Sequence, residues 1–149
     1  MAESNPLTLL IPIKQDGGTQ IKAAIAKEAF IDLVSAGLTA SGILHYATLS
    51  LIPNPLKEDG TDPGGAYAIL LCTVFDGAME PYLEFFWEND GTKAAFKGLA
   101  ELALVEPSPP VTDPDSFVNF ITEHNLSAPK GLYRGYPQSV KEIRAKFKG

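Results

Sequence analysis

Cysteine is almost absent from this 149-residue chain, and several signals that assign a protein to a functional class are missing. The one cysteine, Cys72, has no second thiol for an intramolecular disulfide, and its place in an apolar run predicts a buried, inert thiol in a reducing compartment. The sequence contains no Cys/His spacing of a metal site, no Walker loop, no dinucleotide fingerprint and no Gly-x-Ser-x-Gly elbow. No motif therefore names a reaction, and no metal site is predicted.

Positive charge is also scarce. Lys and Arg total 12 against 18 Asp and Glu, which gives a net charge of −6. Nucleic acids and anionic membranes attract clustered Lys and Arg, so we expect neither as a partner. No apolar run approaches the roughly 20 residues that span a bilayer. The amino terminus lacks the basic and then apolar pattern of a signal peptide. A cytoplasmic protein is expected.

What the chain does have is enough apolar residues, 45% of the total, to form a packed core. The length predicts a single domain over 1–149. Two apolar stretches, 42–52 and 66–77, are predicted to be its central strands. Alternation along the first stretch places His45 on one face with Ile43 and Ala47.

The second stretch is apolar on both faces, and a strand of that kind is covered on both sides. We expect helices over one face of the sheet. The other face then needs a second sheet, a partner subunit or a ligand.

Capping residues indicate where several helices begin and end. Thr19 is a predicted N-cap and Gly37 a predicted end for the first helix. Asp113, followed by proline, predicts the start of a later helix. Ser139 and Glu142 have the spacing of a capping box.

The other elements follow from the periodicity of apolar residues. Two more strands are predicted at 7–13 and 131–136, and helices at 20–36, from 79 to a turn at 89–91, at 92–104, from 113 to 125, and from 139 to about 148. The order β-α-β-β-α-(α)-(α)-β-α predicts an α+β fold of the ferredoxin-like split β-α-β type. That fold has a four-stranded antiparallel sheet with helices on one face. The bare face predicts a homodimer in which two sheets meet.

Four short segments carry a resemblance to a known group of proteins. They are Leu7-Thr-Leu-Leu-Ile-Pro-Ile-Lys14, Leu44-His-Tyr-Ala-Thr48, Phe75-Asp-Gly77 with Tyr82-Leu83, and Tyr133-Arg-Gly-Tyr-Pro137 with Ser139-Val140 and Ile143. In these segments the chain resembles the dimeric α+β barrel superfamily, which includes cofactor-free monooxygenases, stress-responsive barrel proteins and dye-decolorising haem peroxidases. More narrowly, it is similar to a family of uncharacterised bacterial proteins. The resemblance implies a dimeric barrel and no established activity.

The haem-peroxidase branch of that superfamily carries a Gly-x-x-Asp-Gly motif and two ferredoxin-like halves, with the haem-ligating histidine in the second. Here Thr73 stands where the first glycine of the motif would be, before Asp76. The chain has room for one half only. Haem is therefore disfavoured as a cofactor, and His45 and His124 are its candidate ligands.

Three polar residues near predicted strand ends are the candidates for chemistry. His45 is a possible general base or ligand at a barrel mouth, or a hydrogen-bonded histidine at a sheet edge. Asp76 either orients His45 or binds substrate, or it caps the helix that follows. Arg134 either clamps a carboxylate or phosphate or forms an interface salt bridge. His124, in the last turn of a helix, is expected to be structural.

The resulting hypothesis is a small-molecule-binding barrel protein with an apolar cavity between helices and sheet. His45 and Asp76 would be catalytic, and Tyr46, Arg134 and Tyr136 would bind substrate. A cofactor-independent oxygenase or a peroxidase-like enzyme acting on a hydrophobic or aromatic molecule is the sharper form of this hypothesis. The alternative is a non-catalytic structural or stress-responsive homodimer.

Overall fold

The structure, a computed structural model, describes residues 3–107 and 110–147. Three strands form its sheet: β1 (Ser4–Pro12), β2 (Leu44–Pro53) and β3 (Ala66–Asp76). Their order is β1-β3-β2, and β3 is antiparallel to both neighbours. β1 and β2 therefore run parallel to each other with β3 between them. The predicted α+β class and the antiparallel pairing of the two central strands are confirmed.

Helices follow the strands in the order that the sequence predicts. They are α1 (Gly17–Ser41), α2 (Met79–Glu88), α3 (Asp90–Leu102), α4 (Pro114–His124) and α5 (Val140–Phe147), with a short 3-10 turn at Pro129–Gly131. None of these helices, within the described residues, combines the length and apolar character needed to cross a bilayer. The predicted helix end near 148 lies outside the described residues.

The prediction of a strand at 131–136 is wrong, because that segment belongs to no sheet and the sheet has three strands. The physical reason lies at the outer edge of β1, where a fourth strand would add. There Leu126 N donates to Thr8 O at 2.8 Å, and Asn125 Oδ1 accepts from Thr8 N at 3.1 Å. The segment after α4 thus takes up hydrogen-bonding groups that a fourth strand would need, which also protects the edge.

Helix α1 extends beyond both of its predicted ends. Asp16, not Thr19, is its N-cap, and Asp16 Oδ1 accepts from Thr19 N at 2.9 Å. Gly37 lies inside the helix and is buried, and a Cβ built there would be 2.5 Å from Thr92 Oγ1 on α3. The glycine therefore permits close packing of α1 on α3. The helix ends at Ser41, and its C-cap is Gly42, whose φ of 65° favours glycine.

Other local predictions are confirmed. Asp113 caps α4 through a reciprocal capping box with Ser116. Ser139 and Glu142 exchange hydrogen bonds at the start of α5, both at 3.2 Å.

The core lies between one face of the sheet and the helices. Alternate residues of β1 and β3 point into it, and the helices contribute a cluster of aromatic rings. The sheet residues are Leu7, Leu9, Ile11, Ile69, Leu71 and Phe75, and the rings are Phe30, Tyr82, Phe86, Phe96, Phe117 and Phe120. The core therefore covers the face of the sheet that carries these alternate residues of β1 and β3.

The second face of the sheet is only partly covered. Leu10, Leu70 and Ile52 are half-buried there, while Thr48 and Ser50 are exposed. The chain after α4 returns across one end of this face, and that end carries the candidate site.

Candidate functional site

A β-bulge places His45. Strands β2 and β3 pair Leu44 with Phe75 and then Tyr46 with Val74, so His45 is an extra residue that opposes none. Bulges change the direction of a side chain and are frequent beside active sites.

The bulge corrects the prediction that His45 shares a face with Ile43 and Ala47. The alternation from Ala47 onward is regular, with Ala47 opposite Thr73, but it does not extend back through the bulge. His45 instead reaches Asp76, the last residue of β3, and its Nε2 lies 2.8 Å from Asp76 Oδ1. Of the three interpretations of Asp76 that the sequence leaves open, this contact agrees with the one in which Asp76 orients His45.

Asp76 also holds the start of α5. Its Oδ2 accepts a hydrogen bond from Val140 N at 2.7 Å, and its side chain is 5% exposed. The prediction that Asp76 caps the next helix is wrong, since Ala78 is the N-cap of α2 and no side chain caps that helix. Gly77, with φ at 91°, turns the chain away before α2 begins.

The contact with Asp76 indicates which ring nitrogen of His45 carries the proton in the neutral imidazole. A carboxylate only accepts hydrogen bonds, so the Nε2 of His45 carries the proton that Asp76 accepts. In the neutral ring, Nδ1 then holds a lone pair and can accept a proton. A buried carboxylate in this position fixes both the tautomer and the orientation of the imidazole.

Arg134 is held at the same end of the sheet. Its Nε and Nη2 donate to Ser4 O at 3.0 and 2.7 Å, and Ser4 pairs with Asp76 across β1 and β3. The contact fixes the path of the segment between the 3-10 turn and α5. Because of that path, Arg134 lines the same cleft as His45, although the two residues are far apart in the sequence.

These residues line one cleft of about 360 Å³ on the second face of the sheet. Its polar and aromatic lining includes Ser4, His45, Tyr46, Arg134 and Tyr136. Tyr46 is 57% exposed and Tyr136 is 83% exposed, so both rings lie at the rim. His45, with a side chain 18% exposed, lies deeper.

Four of the predicted site residues, His45, Tyr46, Arg134 and Tyr136, therefore line one cleft. This cleft is not between the helices and the sheet, where the cavity was expected. The space between helices and sheet is filled by core side chains such as Phe75 and Tyr82, whose rings stack at 4.1 Å. Asp76 supports the cleft from behind through His45 and does not line it.

Two other predictions concern residues outside this cleft. Cys72 is half-buried and faces a neighbouring cleft, so it is less buried than predicted. His124 Nδ1 donates to the Phe120 carbonyl at 2.9 Å and its ring packs against Phe120, so both contacts lie within its own helix.

No group of three or more His, Cys, Asp or Glu side chains in the described residues is arranged to hold a metal ion. Each histidine engages one ring nitrogen, His45 Nε2 with Asp76 and His124 Nδ1 with the Phe120 carbonyl, and the other nitrogen of each ring makes neither contact. A haem-ligating histidine has the same arrangement, so the expectation against haem rests on the sequence alone. No chemistry through haem is derived for this site.

Sequence reasoning missed Ser4, Leu132 and Val140, which complete the site. Ser4 O accepts from Arg134, Leu132 lines the cleft, and Val140 N donates to Asp76. All three contacts depend on the path of the carboxyl-terminal segment. No local pattern in the sequence signals such a long-range contact. Comparison with protein-family models, with curated proteins and with solved structures finds no match for this chain.

Proposed function

We propose that this protein binds a hydrophobic or aromatic small molecule with an acidic hydroxyl, such as a phenol, in the cleft beside His45. The observation that carries the proposal is the convergence of His45, Tyr46, Arg134 and Tyr136 on one cleft of about 360 Å³. This volume is within the range of small-molecule sites.

His45 supplies the proton acceptor. Its Nε2–H is held by Asp76 at 2.8 Å, so Nδ1 is the ring nitrogen that remains for a ligand. A phenolic hydroxyl that donates to Nδ1 can transfer its proton when the geometry is held. Asp76, anchored in turn by Val140 N, stabilises the imidazolium that forms.

Arg134 and the tyrosines supply the rest of the recognition. A guanidinium beside the cleft favours the phenolate over the neutral phenol through its positive charge. The rings of Tyr46 and Tyr136 at the rim offer aromatic faces for the body of the ligand. An aromatic ligand with one acidic hydroxyl matches both features.

Calorimetry with methyl para-hydroxybenzoate as the probe tests this proposal. We expect binding by the wild type and a loss of about tenfold in affinity for His45→Gln, since one hydrogen bond to the ligand is lost. His124→Gln is the matched control and should bind as the wild type does. Equal affinities for the two variants, or no binding by the wild type, would overturn the proposal.

In its sharper form the proposal is a cofactor-independent oxygenase, in which dioxygen oxidises the phenolate formed at His45 and both oxygen atoms enter the product, so that no external reductant is consumed. An oxygen electrode tests this form with the same phenol. We expect consumption that disappears in His45→Gln and persists in His124→Gln. Binding without any consumption would reduce the function to ligand binding alone.

The second candidate is a homodimer of the ferredoxin-like barrel type, formed through the second face of the sheet. It is supported by the strand order, with β1 and β2 parallel about β3, and by the half-buried Leu10, Ile52 and Leu70. These three side chains lie on that face, away from the His45 cleft. A second copy would complete their burial.

Sedimentation analysis distinguishes this structural role. We expect a dimer that Leu70→Glu dissociates. Ile21→Glu is the control, because Ile21 is 64% exposed on α1 and lies away from the sheet face. A monomer at all concentrations, or a dimer that survives Leu70→Glu, argues against an interface at this face.

A further inference from the structure

Strand β2 is an edge of the sheet, and no strand pairs with its outer side. The strand order β1-β3-β2 gives it one neighbour only. Apart from the ladder with β3, no hydrogen bond among the residues that the structure describes involves a backbone group of 44–53. Alternate residues of an edge strand direct their N–H and C=O groups outward. The outer side of β2 therefore offers a row of donors and acceptors to a further strand.

The two edges of the sheet differ in how they are protected. At the edge formed by β1, Asn125 and Leu126 bind the backbone of Thr8. At the other edge, the regular part of β2 over 46–52 contains no Lys, Arg, Asp, Glu or Pro. Charged residues and proline are the usual means by which edge strands avoid pairing. The edge of β2 is therefore open to an added strand, and the edge of β1 is not.

An apolar cleft of about 380 Å³ adjoins the open edge, between α1 and the end of β2. Ile21 and Ala24 line it from α1, and Leu51 and Pro53 line it from β2. Helix α3 packs on a different side of α1, at Gly37, so the cleft opens toward the outer side of β2. Ile21 is 64% exposed and is the most accessible apolar surface of this cleft.

The cleft suits one side chain of an added strand. Leu51 pairs with Ile69 and lies on the helix side of the sheet. Alternate side chains of a strand beside β2 point to the same side, so one of them enters the cleft. Gln20, the polar side chain in the lining, is engaged with the backbone N and O of Ala66 at 2.7 and 2.9 Å. A large apolar side chain, such as that of leucine, therefore matches the cleft.

The loop that follows β2 adds a preference for positive charge. It carries Glu58, Asp59 and Asp62, all exposed, against Lys57 alone. A second copy of β2 on the open edge would bring no Lys or Arg to this loop, because 44–53 contains neither. A basic residue at the end of a different segment complements the loop.

We propose that the outer edge of β2 binds an extended peptide segment of another protein by strand addition. Main-chain hydrogen bonds to β2 hold the segment, a large apolar side chain fills the cleft at Ala24, and a basic residue lies beside the acidic loop. The surface is at the opposite end of β2 from His45. The inference is therefore independent of the function proposed for the His45 cleft.

A synthetic peptide tests the proposal. The probe is the capped and fluorescently labelled peptide Arg-Thr-Val-Thr-Leu-Thr-Val-Thr-Arg, and its matched control has aspartate in place of leucine. In fluorescence anisotropy we expect the wild type to bind the leucine peptide about tenfold more tightly than the control, because only leucine is buried favourably in the cleft.

Two variants locate the bound side chain. Ala24→Trp fills the cleft from an exposed position and should weaken binding of the leucine peptide by about tenfold. Ala145→Trp places the same side chain at an exposed position on α5 and should bind as the wild type does.

Hydrogen exchange gives an independent readout at the backbone. In the protein alone we expect alternate amides of 46–52 to exchange rapidly, and saturating leucine peptide to slow them at least tenfold. The amide of Thr8, which Asn125 Oδ1 already holds at 3.1 Å, is the internal control and should not change.

Three results would overturn the proposal. They are no binding by the wild type, binding that Ala24→Trp does not weaken, and protection of amides outside β2 without protection of 46–52. Protection of 46–52 that rises with protein concentration in the absence of peptide would also overturn it, because the occupant of the edge would then be a second copy of the chain.

Discussion

Asp76 joins three segments that are far apart in the sequence. Its carboxylate accepts from His45 on β2 and from Val140 N on α5, and its backbone pairs with Ser4 on β1. A carboxylate that is 5% exposed is costly to bury without such donors. Loss of its charge should therefore loosen the bulge of β2 and the start of α5 together.

We expect Asp76→Asn to lower the free energy of unfolding by about 1–3 kcal/mol, the range for a buried group that loses its partner. An amide offers one acceptor and one donor, so it keeps both contacts only if His45 moves its proton from Nε2 to Nδ1, and the charge that holds both donors is lost in either case. Urea unfolding at neutral pH measures the change. Asp32→Asn, at an exposed position on α1, changes the charge alone, and equal midpoints for the two variants would contradict the account.

Asp113 makes stability depend on pH. Hydrogen bonds from the backbone and side chain of Ser116 lower the pKa of Asp113 below its usual 3.8. A carboxyl group with a lowered folded pKa stabilises the fold above its unfolded value, and the contribution is lost as the pH falls through the folded pKa. The gap in stability between wild type and Asp113→Asn should therefore shrink when urea unfolding is moved from pH about 7 to about 3. A gap that stays constant would contradict this assignment.

At the level of single residues, the sequence predicted partners better than it predicted roles. His45 lies near the start of β2 and Asp76 at the end of β3, and antiparallel pairing of the two strands brings these ends together, so their contact could be anticipated. The bond from Asp76 to α5 could not, because it joins positions 64 residues apart and no spacing rule covers that distance.

Among the elements, β2 shows where the alternation of side chains between the two faces of a strand breaks down. Its faces alternate as predicted from Ala47 onward, but the bulge at His45 shifts everything before it by one position. No residue pattern around His45 predicts a bulge, because a bulge depends on how β3 pairs with β2. Helix caps were predicted more reliably, as at Asp113 and Ser139, because they depend on residues three positions apart.

Two helical glycines should respond in opposite ways to the same change. We expect Gly37→Ala to destabilise the fold by roughly 1–3 kcal/mol, because the new Cβ would lie 2.5 Å from Thr92 Oγ1. Gly98→Ala on α3 meets nothing within 4 Å and should stabilise by roughly 0.5–1 kcal/mol through helix propensity. Thermal unfolding of both variants measures the difference. Similar shifts of the two midpoints would show that α1 and α3 are not in close contact at Gly37.

For the molecule as a whole, the number of strands depended on contacts that the sequence does not reveal. The segment at 131–136 has a strand-like composition, but the outer edge of β1 is already bound by Asn125 and Leu126. The segment instead crosses the second face of the sheet and brings Arg134 to the His45 cleft. The path of this segment therefore explains both the missing fourth strand and the presence of Arg134 at the candidate site.

The central claim is that His45 presents Nδ1 to a ligand while Asp76 holds Nε2–H. The chain has two histidines, and His124, with Nδ1 held by the Phe120 carbonyl, serves as an internal control. A long-range proton–nitrogen NMR spectrum of the imidazole rings tests the claim most directly. We predict that neutral His45 carries its proton on Nε2 and neutral His124 on Nδ1, and that saturating methyl para-hydroxybenzoate shifts the His45 Nδ1 resonance alone. A proton on Nδ1 of His45, or resonances of His45 that do not move with the ligand, would contradict the account.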